Sequence, residues 1–152
     1  MIKIAFVCHG NICRSPMAEF IFKDKIKKLG LEKEFHVRSF GTSPEELCNP
    51  VYPPVREILR SRGIDCSNKR AEVLSPSDYD KFDYFICMDE RNVRNIGRIF
   101  IEDDKKKIFK LLDFTDKKGD VADPYYYGGF SKVEEDIERG VNSFIEFLSG
   151  KS

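Results

Sequence analysis

The sequence has no tryptophan, only two histidines and no excess of charge of either sign. Its 26 basic and 26 acidic residues balance, which argues against a protein held to nucleic acid by its net electric field. No segment approaches the roughly 18 apolar residues of a membrane span, and residues 1–7 lack the longer apolar core of a signal peptide. The histidines, His9 and His36, lie far apart, so a zinc site of cysteine and histidine is not expected.

Cysteine is present, but not at the density of a disulfide scaffold. The five cysteines are odd in number and widely spaced, which is typical of a protein in the reducing cytoplasm. At 152 residues, of which 41% are hydrophobic and 34% charged, the chain has the length and composition of one globular unit. We therefore expect a single cytoplasmic domain over residues 1–152.

Short β-branched and aromatic segments alternate with amphipathic ones along the chain. The pattern predicts strands at residues 2–7, 35–39, 82–88 and 107–112, and helices at residues 15–29, 53–62, 89–98 and 131–148. Serine is expected to cap the first and last helices, at Ser15 before Pro16 and at Ser131 three residues before Glu134. Strands that alternate with helices predict a parallel sheet with helices on both faces. Such folds bind ligands at the carboxyl ends of the strands.

The loop after the first predicted strand, residues 8–15, reads Cys-His-Gly-Asn-Ile-Cys-Arg-Ser. A loop that curls into a helix N-terminus aims several backbone N–H groups at one point and so forms an anion site. Arg14 adds a planar donor that matches two phosphate oxygens. Positive potential favours the thiolate form of Cys8, which is then placed to attack the phosphorus of a bound phosphate ester. None of the other cysteines has an arginine six residues later.

Residues 7–19, Val-Cys-His-Gly-Asn-Ile-Cys-Arg-Ser-Pro-Met-Ala-Glu, closely resemble the active-site signature of the low-molecular-weight protein tyrosine phosphatases. The resemblance covers nearly the whole chain: residues 38–42 resemble the family's Ser-Ala-Gly-Thr turn, residues 87–92 its Met-Asp segment and residues 123–126 its general-acid loop. It implies an α/β fold in which helices flank both faces of a four-stranded parallel twisted sheet, with a phosphate-binding loop after the first strand. It also implies hydrolysis of protein phosphotyrosine and small aryl phosphates, inhibition by the product phosphate, and no metal or cofactor.

Three residues are expected to carry the catalysis, by the same resemblance. Cys8 is the nucleophile that forms a phosphocysteine, Arg14 binds the phosphoryl oxygens, and Asp123 acts as general acid and then as general base. An Asp-Pro pair also suits a turn that has no catalytic role. The resemblance favours catalysis at Asp123.

Two further loop residues are expected to support the site. In the family, the hydroxyl at the position of Ser15 hydrogen-bonds the thiolate and helps the sulfur to leave in the second step. Asn11 suits a left-handed turn, and the resemblance implies that its side chain ties the loop to polar groups that include Ser39. A histidine often completes that network, but the alignment places Asn68 at its position, so this last tie is not expected.

The phosphate is expected to contact the whole loop, while no chemistry is assigned to the His9 ring. The predicted phosphate-binding residues are His9, Gly10, Asn11, Ile12, Cys13 and Arg14. The resemblance further implies that Cys13 forms a reversible disulfide with Cys8 under oxidation, which protects Cys8 from irreversible oxidation.

A phosphotyrosine ring needs flat apolar walls, and Ile12 and Tyr125 are the predicted walls. The third predicted wall residue is Glu45, which stands where many relatives carry a bulky aromatic residue on the pocket rim. An acidic rim would disfavour peptides that are acidic near the phosphotyrosine.

Three alternative activities are open at this point. Protein arginine phosphatases resemble this family closely but typically carry threonine where this chain has Ile12. Arsenate reductases of the same fold need a further pair of redox cysteines near the Met-Asp segment, where this chain has only Cys87. A phosphocysteine carrier or phosphate-sensing binding module would not need an acid at position 123.

Overall fold

Four parallel strands form the central sheet of the computed structural model, which describes residues 1–124 and 129–150. In chain order they are β1 (Ile2–Cys8), β2 (Phe35–Gly41), β3 (Tyr84–Cys87) and β4 (Ile108–Lys110). They lie side by side in the order β2-β1-β3-β4, and each neighbouring pair is parallel. The expected four-stranded parallel sheet is confirmed.

Helices cover both faces of this sheet. They are α1 (Arg14–Lys28), α2 (Pro53–Ser61), α3 (Glu90–Ile99) and α4 (Ser131–Ser149). Successive residues of a strand point to opposite faces: Ile4 and Phe6 join the apolar core shared with α1, α2 and α4, whereas Ala5 and Val7 join the core shared with α3. None of the described helices is long and apolar enough to cross a membrane.

The strand order places the end of β1 where the chain changes direction across the sheet. From β1 the chain moves outward to β2 and then crosses back to β3, on the other side of β1. The loops after β1 and β3 therefore leave the sheet as neighbours, and a crevice opens between them. Cys8 and Cys87 are the last residues of these two strands.

The apolar stripe predicted for the last helix is confirmed. Its buried members are Val133, Ile137, Val141, Phe144, Ile145 and Leu148. Beside them, a Cβ at Gly140 would come within 2.5 Å of Leu111 Cγ, so glycine lets α4 pack closely against the 3₁₀ helix Leu111–Phe114. Because the chain turns into this 3₁₀ helix, the last strand ends at Lys110 rather than at the predicted residue 112.

Neither predicted serine cap is present. The helix α1 begins one residue before Ser15, and no side chain of the described residues caps it. The Ser15 hydroxyl contacts the Cys8 sulfur instead. At the start of α4, Ser131 is already helical, so the capping box predicted with Glu134 does not form among the described residues.

Candidate active site

The loop between β1 and α1 forms one side of a pocket of about 210 Å³ at the carboxyl edge of the sheet. The loop residues that line this pocket are Cys8, His9, Gly10, Ile12, Cys13 and Arg14. Other segments contribute Glu45, Glu46, Asp89, Arg91, Asn92, Asp123 and Pro124. The structure thus brings Cys8 and Arg14 together with Asp123, which lies far from them in the sequence.

The loop backbone is arranged to receive an anion. Its carbonyl groups accept hydrogen bonds from the surrounding protein: those of Cys8, His9, Ile12 and Cys13 are bonded to N–H groups of Thr42, Ser43, Tyr52 and Met17. By contrast, within the described part of the chain the N–H groups of residues 9–13 donate to no protein acceptor. Successive free N–H groups at the start of a helix form a concave site for a negatively charged ligand.

Asn11 holds this loop in shape from behind. Its backbone has a φ of 61°, the left-handed conformation expected of it. Its side-chain amide donates to the hydroxyl groups of Ser15 and Ser39, at 2.9 Å each, and its Oδ1 accepts from the backbone N–H of Glu72 at 2.9 Å. The expected tie between Asn11 and Ser39 is confirmed. With 1% of its surface exposed, Asn11 lies behind the pocket wall.

Ser15 places a hydroxyl against the sulfur of Cys8. The distance from Ser15 Oγ to Cys8 Sγ is 3.0 Å. Because this hydroxyl already accepts a hydrogen bond from Asn11, its single proton is directed to the Cys8 sulfur or to the carbonyl of Phe40, which lies farther away at 3.4 Å. A hydroxyl in this position donates to a thiolate and stabilises its negative charge.

Arg14 is held at two points. Its Nη2 lies 2.8 Å from Oδ2 of Asp89, and its Nη1 donates to the carbonyl of Val121 at 3.1 Å. The other Asp89 oxygen accepts from the N–H of Asn92 and caps α3, so this carboxylate is itself fixed. These contacts orient the guanidinium at the pocket and leave further N–H groups for a ligand. Asp89 belongs to the matching Met-Asp segment, but its role as a partner of Arg14 was not predicted.

Asp123 reaches the pocket from the loop that precedes α4. Its side chain is partly buried. The two preceding residues anchor the loop: Val121 N–H donates to the carbonyl of Met88 at 2.8 Å, and Ala122 N–H donates to Asp136 Oδ2 at 3.0 Å. The predicted wall residue Tyr125 lies outside the described residues. The other two predicted wall residues, Ile12 and Glu45, both line the pocket.

The pocket rim carries a contact between two side chains that was not predicted. The Nε2 atom of His9 lies 3.2 Å from Oε1 of Glu45, and both side chains are largely exposed. The His9 ring, to which no chemistry was assigned, therefore contacts the acidic rim. The Glu46 Cγ would lie 3.2 Å from a Cβ at position 10, so Gly10 permits this close approach. Residues 43–49 thus place two carboxylates next to the loop between β1 and α1.

A buried lysine lies behind the loop, beside the network of Asn11. Lys69 Nζ donates to the carbonyl of Ser39 at 2.8 Å and lies 3.8 Å from Glu19 Oε1, while the Ser39 hydroxyl donates to the same Glu19 oxygen at 2.5 Å. Burial lowers the pKa of Lys69, and the carboxylates of Glu19 and Glu72 oppose that shift. Asn68, the aligned position, is exposed. The neighbouring Lys69 completes the network, and no sequence signal pointed to it.

Cys13 is a buried thiol beside the nucleophile candidate. Burial, together with the neighbouring Cys8 and in spite of the opposing positive charge of Arg14, raises its pKa to about 12. Cys13 is therefore protonated at neutral pH and does not compete with Cys8 as a nucleophile. Both are free cysteines. Within the described residues, no three His, Cys, Asp or Glu side chains form a group that could hold a metal ion.

Comparison with known proteins gives a consistent result. A family model described as low molecular weight phosphotyrosine protein phosphatase matches residues 3–152. The low molecular weight protein-tyrosine-phosphatase YfkJ of Bacillus subtilis is 40% identical over 147 residues, which cover 95% of this chain and 94% of that protein. PtpA of Staphylococcus epidermidis, a phosphatase of the same description, is 38% identical over 149 residues, which cover 97% of this chain and 94% of that protein.

Solved structures agree with the sequence comparisons. The crystal structure of YfkJ matches with a TM-score of 0.95 at 38% identity and covers 100% of this chain and 97% of that one. A crystal structure of a protein tyrosine phosphatase from Entamoeba histolytica, with Hepes in its active site, matches with a TM-score of 0.88 at 34% identity and covers 100% of both chains. The similarity therefore extends over the full fold.

Proposed function

The chain belongs to the low molecular weight phosphotyrosine protein phosphatase family, and we propose that it hydrolyses phosphotyrosine in proteins through a phosphocysteine on Cys8. One observation supports this proposal most directly: the thiol of Cys8, the guanidinium of Arg14 and the carboxyl group of Asp123 line one pocket. Transfer of a phosphoryl group to sulfur needs a nucleophile, a ligand for the phosphoryl oxygens and a proton donor for the leaving group. These three side chains supply them.

The phosphate dianion binds in the cradle of backbone N–H groups of residues 9–13 and is contacted by Arg14. Because the loop carbonyls are bonded to the protein on the other side, the loop is already in its binding conformation before a ligand arrives. Donors that do not have to reorganise stabilise the charge of the transition state most effectively. Inorganic phosphate, the product, fits the same cradle and is expected to inhibit.

In the first step, the Cys8 thiolate attacks phosphorus and the bond from phosphorus to the tyrosine oxygen breaks. A phenolate has a pKa near 10 and leaves more readily as the neutral phenol. Asp123, in its protonated form, donates that proton to the leaving oxygen. Arg14 and the loop N–H groups hold the three equatorial phosphoryl oxygens throughout.

In the second step, a water molecule attacks the phosphocysteine and the sulfur leaves as a thiolate. Asp123, now ionised, removes a proton from that water and so returns to its protonated form. The hydroxyl of Ser15 lies 3.0 Å from the Cys8 sulfur and stabilises the thiolate as it forms. Asn11 holds that hydroxyl in place, at 2.9 Å.

The walls of the pocket favour an aryl phosphate. Ile12 presents a branched apolar side chain rather than a hydroxyl to the pocket, which suits the face of a phenyl ring. Glu45 lies on the rim, and Tyr125, outside the described residues, is proposed as a further wall. A protein arginine phosphatase is the alternative that the same catalytic groups would serve, and Ile12 argues against it.

Cys13 is proposed to protect the nucleophile from oxidation. Peroxide converts the Cys8 thiolate to a sulfenic acid, and the Cys13 sulfur then displaces its oxygen as water, which leaves a disulfide. A thiol reductant restores both thiols. The remaining redox candidate, Cys87, is fully buried, and burial raises its pKa, so it is a poor partner for the electron transfer that an arsenate reductase needs.

The proposal is tested by the hydrolysis of aryl phosphates with good and poor leaving groups. Cys8→Ser is expected to abolish turnover. Asp123→Asn is expected to reduce turnover by about 10²–10⁴-fold with phenyl phosphate and much less with a nitrophenyl ester, whose leaving group needs little protonation. Asp116→Asn, an exposed change before the same loop, serves as the control.

Three results of these measurements, extended to phosphoarginine, would contradict the proposal. Full activity of Cys8→Ser would rule out the covalent mechanism. An Asp123→Asn loss that is equal for all leaving groups would rule out the general acid. Faster hydrolysis of phosphoarginine than of phosphotyrosine would make the chain an arginine phosphatase.

A further inference from the structure

A second groove opens beside the catalytic pocket, on the side of α3. It has a volume of about 590 Å³ and adjoins the pocket, with which it shares the lining residues Asp89, Arg91 and Asp123. The rim carboxylates Glu45 and Glu46 line the pocket but not this groove. A substrate chain that leaves the pocket past Asp123 therefore enters the groove and moves away from the acidic rim.

Four of the five acidic side chains of this groove are paired with basic groups, and the fifth is the proposed general acid Asp123. Asp89 pairs with Arg14. Glu90 and Asp120 both pair with Lys110, at 3.2 and 3.1 Å. The remaining acid of this set, Asp136, pairs with Lys132 and Arg139 and accepts the N–H of Ala122.

Two arginines of the groove are not neutralised in this way. Arg91 and Arg94 are both exposed and lie three residues apart on α3, which places them on one face of the helix. Neither forms an ion pair with any residue in the ranges 1–124 and 129–150. Lys132, also in the groove, is committed to Asp136 at 3.1 Å. The groove therefore presents two guanidinium groups without a counter-ion next to the reacting centre.

We propose that Arg91 and Arg94 form a subsite for an anionic side chain of the substrate, close in sequence to the phosphotyrosine. This inference rests on the proposed phosphotyrosine phosphatase activity. An extended peptide advances about 3.3 Å per residue, so a side chain one to three positions from the phosphotyrosine reaches the groove. The guanidinium fork matches a carboxylate or a phosphate. An acidic side chain of the peptide is thus repelled where it lies near Glu45 and bound where it lies near Arg91. The preference for acidic residues therefore differs between the positions before and after the phosphotyrosine.

The test compares phosphotyrosine peptides that carry glutamate or glutamine at these positions, before the phosphotyrosine in one series and after it in the other. Wild-type kcat/KM is expected to favour glutamate by about threefold to tenfold in one series only. The double variant Arg91→Gln/Arg94→Gln should lower this ratio to about one. Arg98→Gln, on the same helix but outside both cavities, should keep the wild-type ratio. High ionic strength should also lower the wild-type ratio of kcat/KM between glutamate and glutamine peptides.

Several outcomes would overturn the subsite. They are equal rates with glutamate and glutamine in both wild-type series, a preference that persists in the double variant, and an equal loss of preference in Arg98→Gln. Peptides with a second phosphotyrosine in place of glutamate distinguish a phosphate from a carboxylate as the better ligand. Turnover without a charge preference would contradict the proposed subsite alone. A lack of turnover with every phosphotyrosine peptide would contradict the proposed function and the subsite together.

Discussion

The Asp89 carboxylate lies 2.8 Å from the Arg14 guanidinium, so the residue that follows β3 by two positions holds the arginine at the start of α1. This ion pair joins the two loops that the strand order makes neighbours. It is well shielded, with side-chain exposures of 9% and 15%. Its effect is to orient the long side chain of Arg14, the proposed ligand of the phosphate, which would otherwise adopt several rotamers.

Asp89→Asn should therefore lower kcat/KM without unfolding α3. Asparagine caps a helix as well as aspartate does, so the change removes the negative charge beside Arg14 while the cap is kept. We expect a loss of about 10- to 100-fold with an aryl phosphate, together with weaker inhibition by inorganic phosphate. Asp120→Asn, which removes a more exposed carboxylate from Lys110, is the control. Equal effects of the two variants would contradict an orienting role for Asp89.

Replacing Cys13 should change how the activity responds to peroxide, whereas replacing another buried cysteine should not. Because Cys13 is a protonated thiol, peroxide should attack Cys8 first, and wild-type activity should return after treatment with a thiol reductant. In Cys13→Ser, the inactivation should become largely irreversible as Cys8 proceeds to sulfinic and sulfonic acids. Cys66→Ser changes a buried cysteine that does not line the pocket and should behave like wild type. Peptide mapping that shows no link between Cys8 and Cys13 would contradict the prediction.

The sequence predicts the local parts of the site better than the long-range ones. Cys8 and Arg14 are six positions apart, so one loop places both, and their spacing is visible in the sequence. The pairing of Arg14 with Asp89 depends on the strand order, which a local pattern does not contain. Lys69 is a stronger example: a lysine is seldom buried, and the carboxylates of Glu19 and Glu72 and the carbonyl of Ser39 make that position favourable.

The two serine predictions failed because both residues lie inside their helices, which begin at Arg14 and at Ser131 itself. A hydroxyl before a helical segment is a good cap only when nothing else competes for it. The Ser15 hydroxyl contacts the Cys8 sulfur and accepts a hydrogen bond from the Asn11 amide, so it does not cap the helix. The Asn11–Ser39 contact was predicted correctly because it was transferred residue by residue from the family motif, not from a local pattern.

Lys69→Met should reduce both stability and catalysis. It removes the ammonium group that donates to the Ser39 carbonyl, and it leaves Glu19 buried with less compensation. We expect a loss of about 2 kcal/mol in the free energy of unfolding, measured by urea denaturation, and a lower kcat, since Ser39 supports Asn11. Lys23→Gln removes the other lysine that pairs with Glu19, but its side chain is 42% exposed, so a loss below about 0.5 kcal/mol is expected. Equal losses would contradict a special role for the buried lysine.

Glu138 should make the free energy of unfolding depend on pH below about 5. It lies on α4 and pairs with Lys25 of α1 and with Arg62, which follows α2. Partial burial raises its pKa, but hydrogen bonds from Lys25 and Arg62 outweigh that effect and lower the pKa from 4.5 to about 2. Since the folded protein holds the carboxylate form more strongly than the unfolded chain does, the stabilisation is complete above pH 4.5 and is lost as the pH falls towards 2.

The corresponding variant is Glu138→Gln. Its free energy of unfolding should be about 1 kcal/mol below that of wild type at pH 7, a value reduced from the full pKa shift because the ion pairs are partly exposed. The difference should shrink steadily as the pH falls from 4.5 towards 2, because the unfolded wild-type chain takes up a proton at Glu138 that the folded protein takes up only near pH 2. Glu135→Gln, an exposed change on the same helix, should match wild type throughout. A Glu138→Gln deficit that is constant from pH 7 to 3 would mean that packing, not charge, joins α4 to α1 at this point.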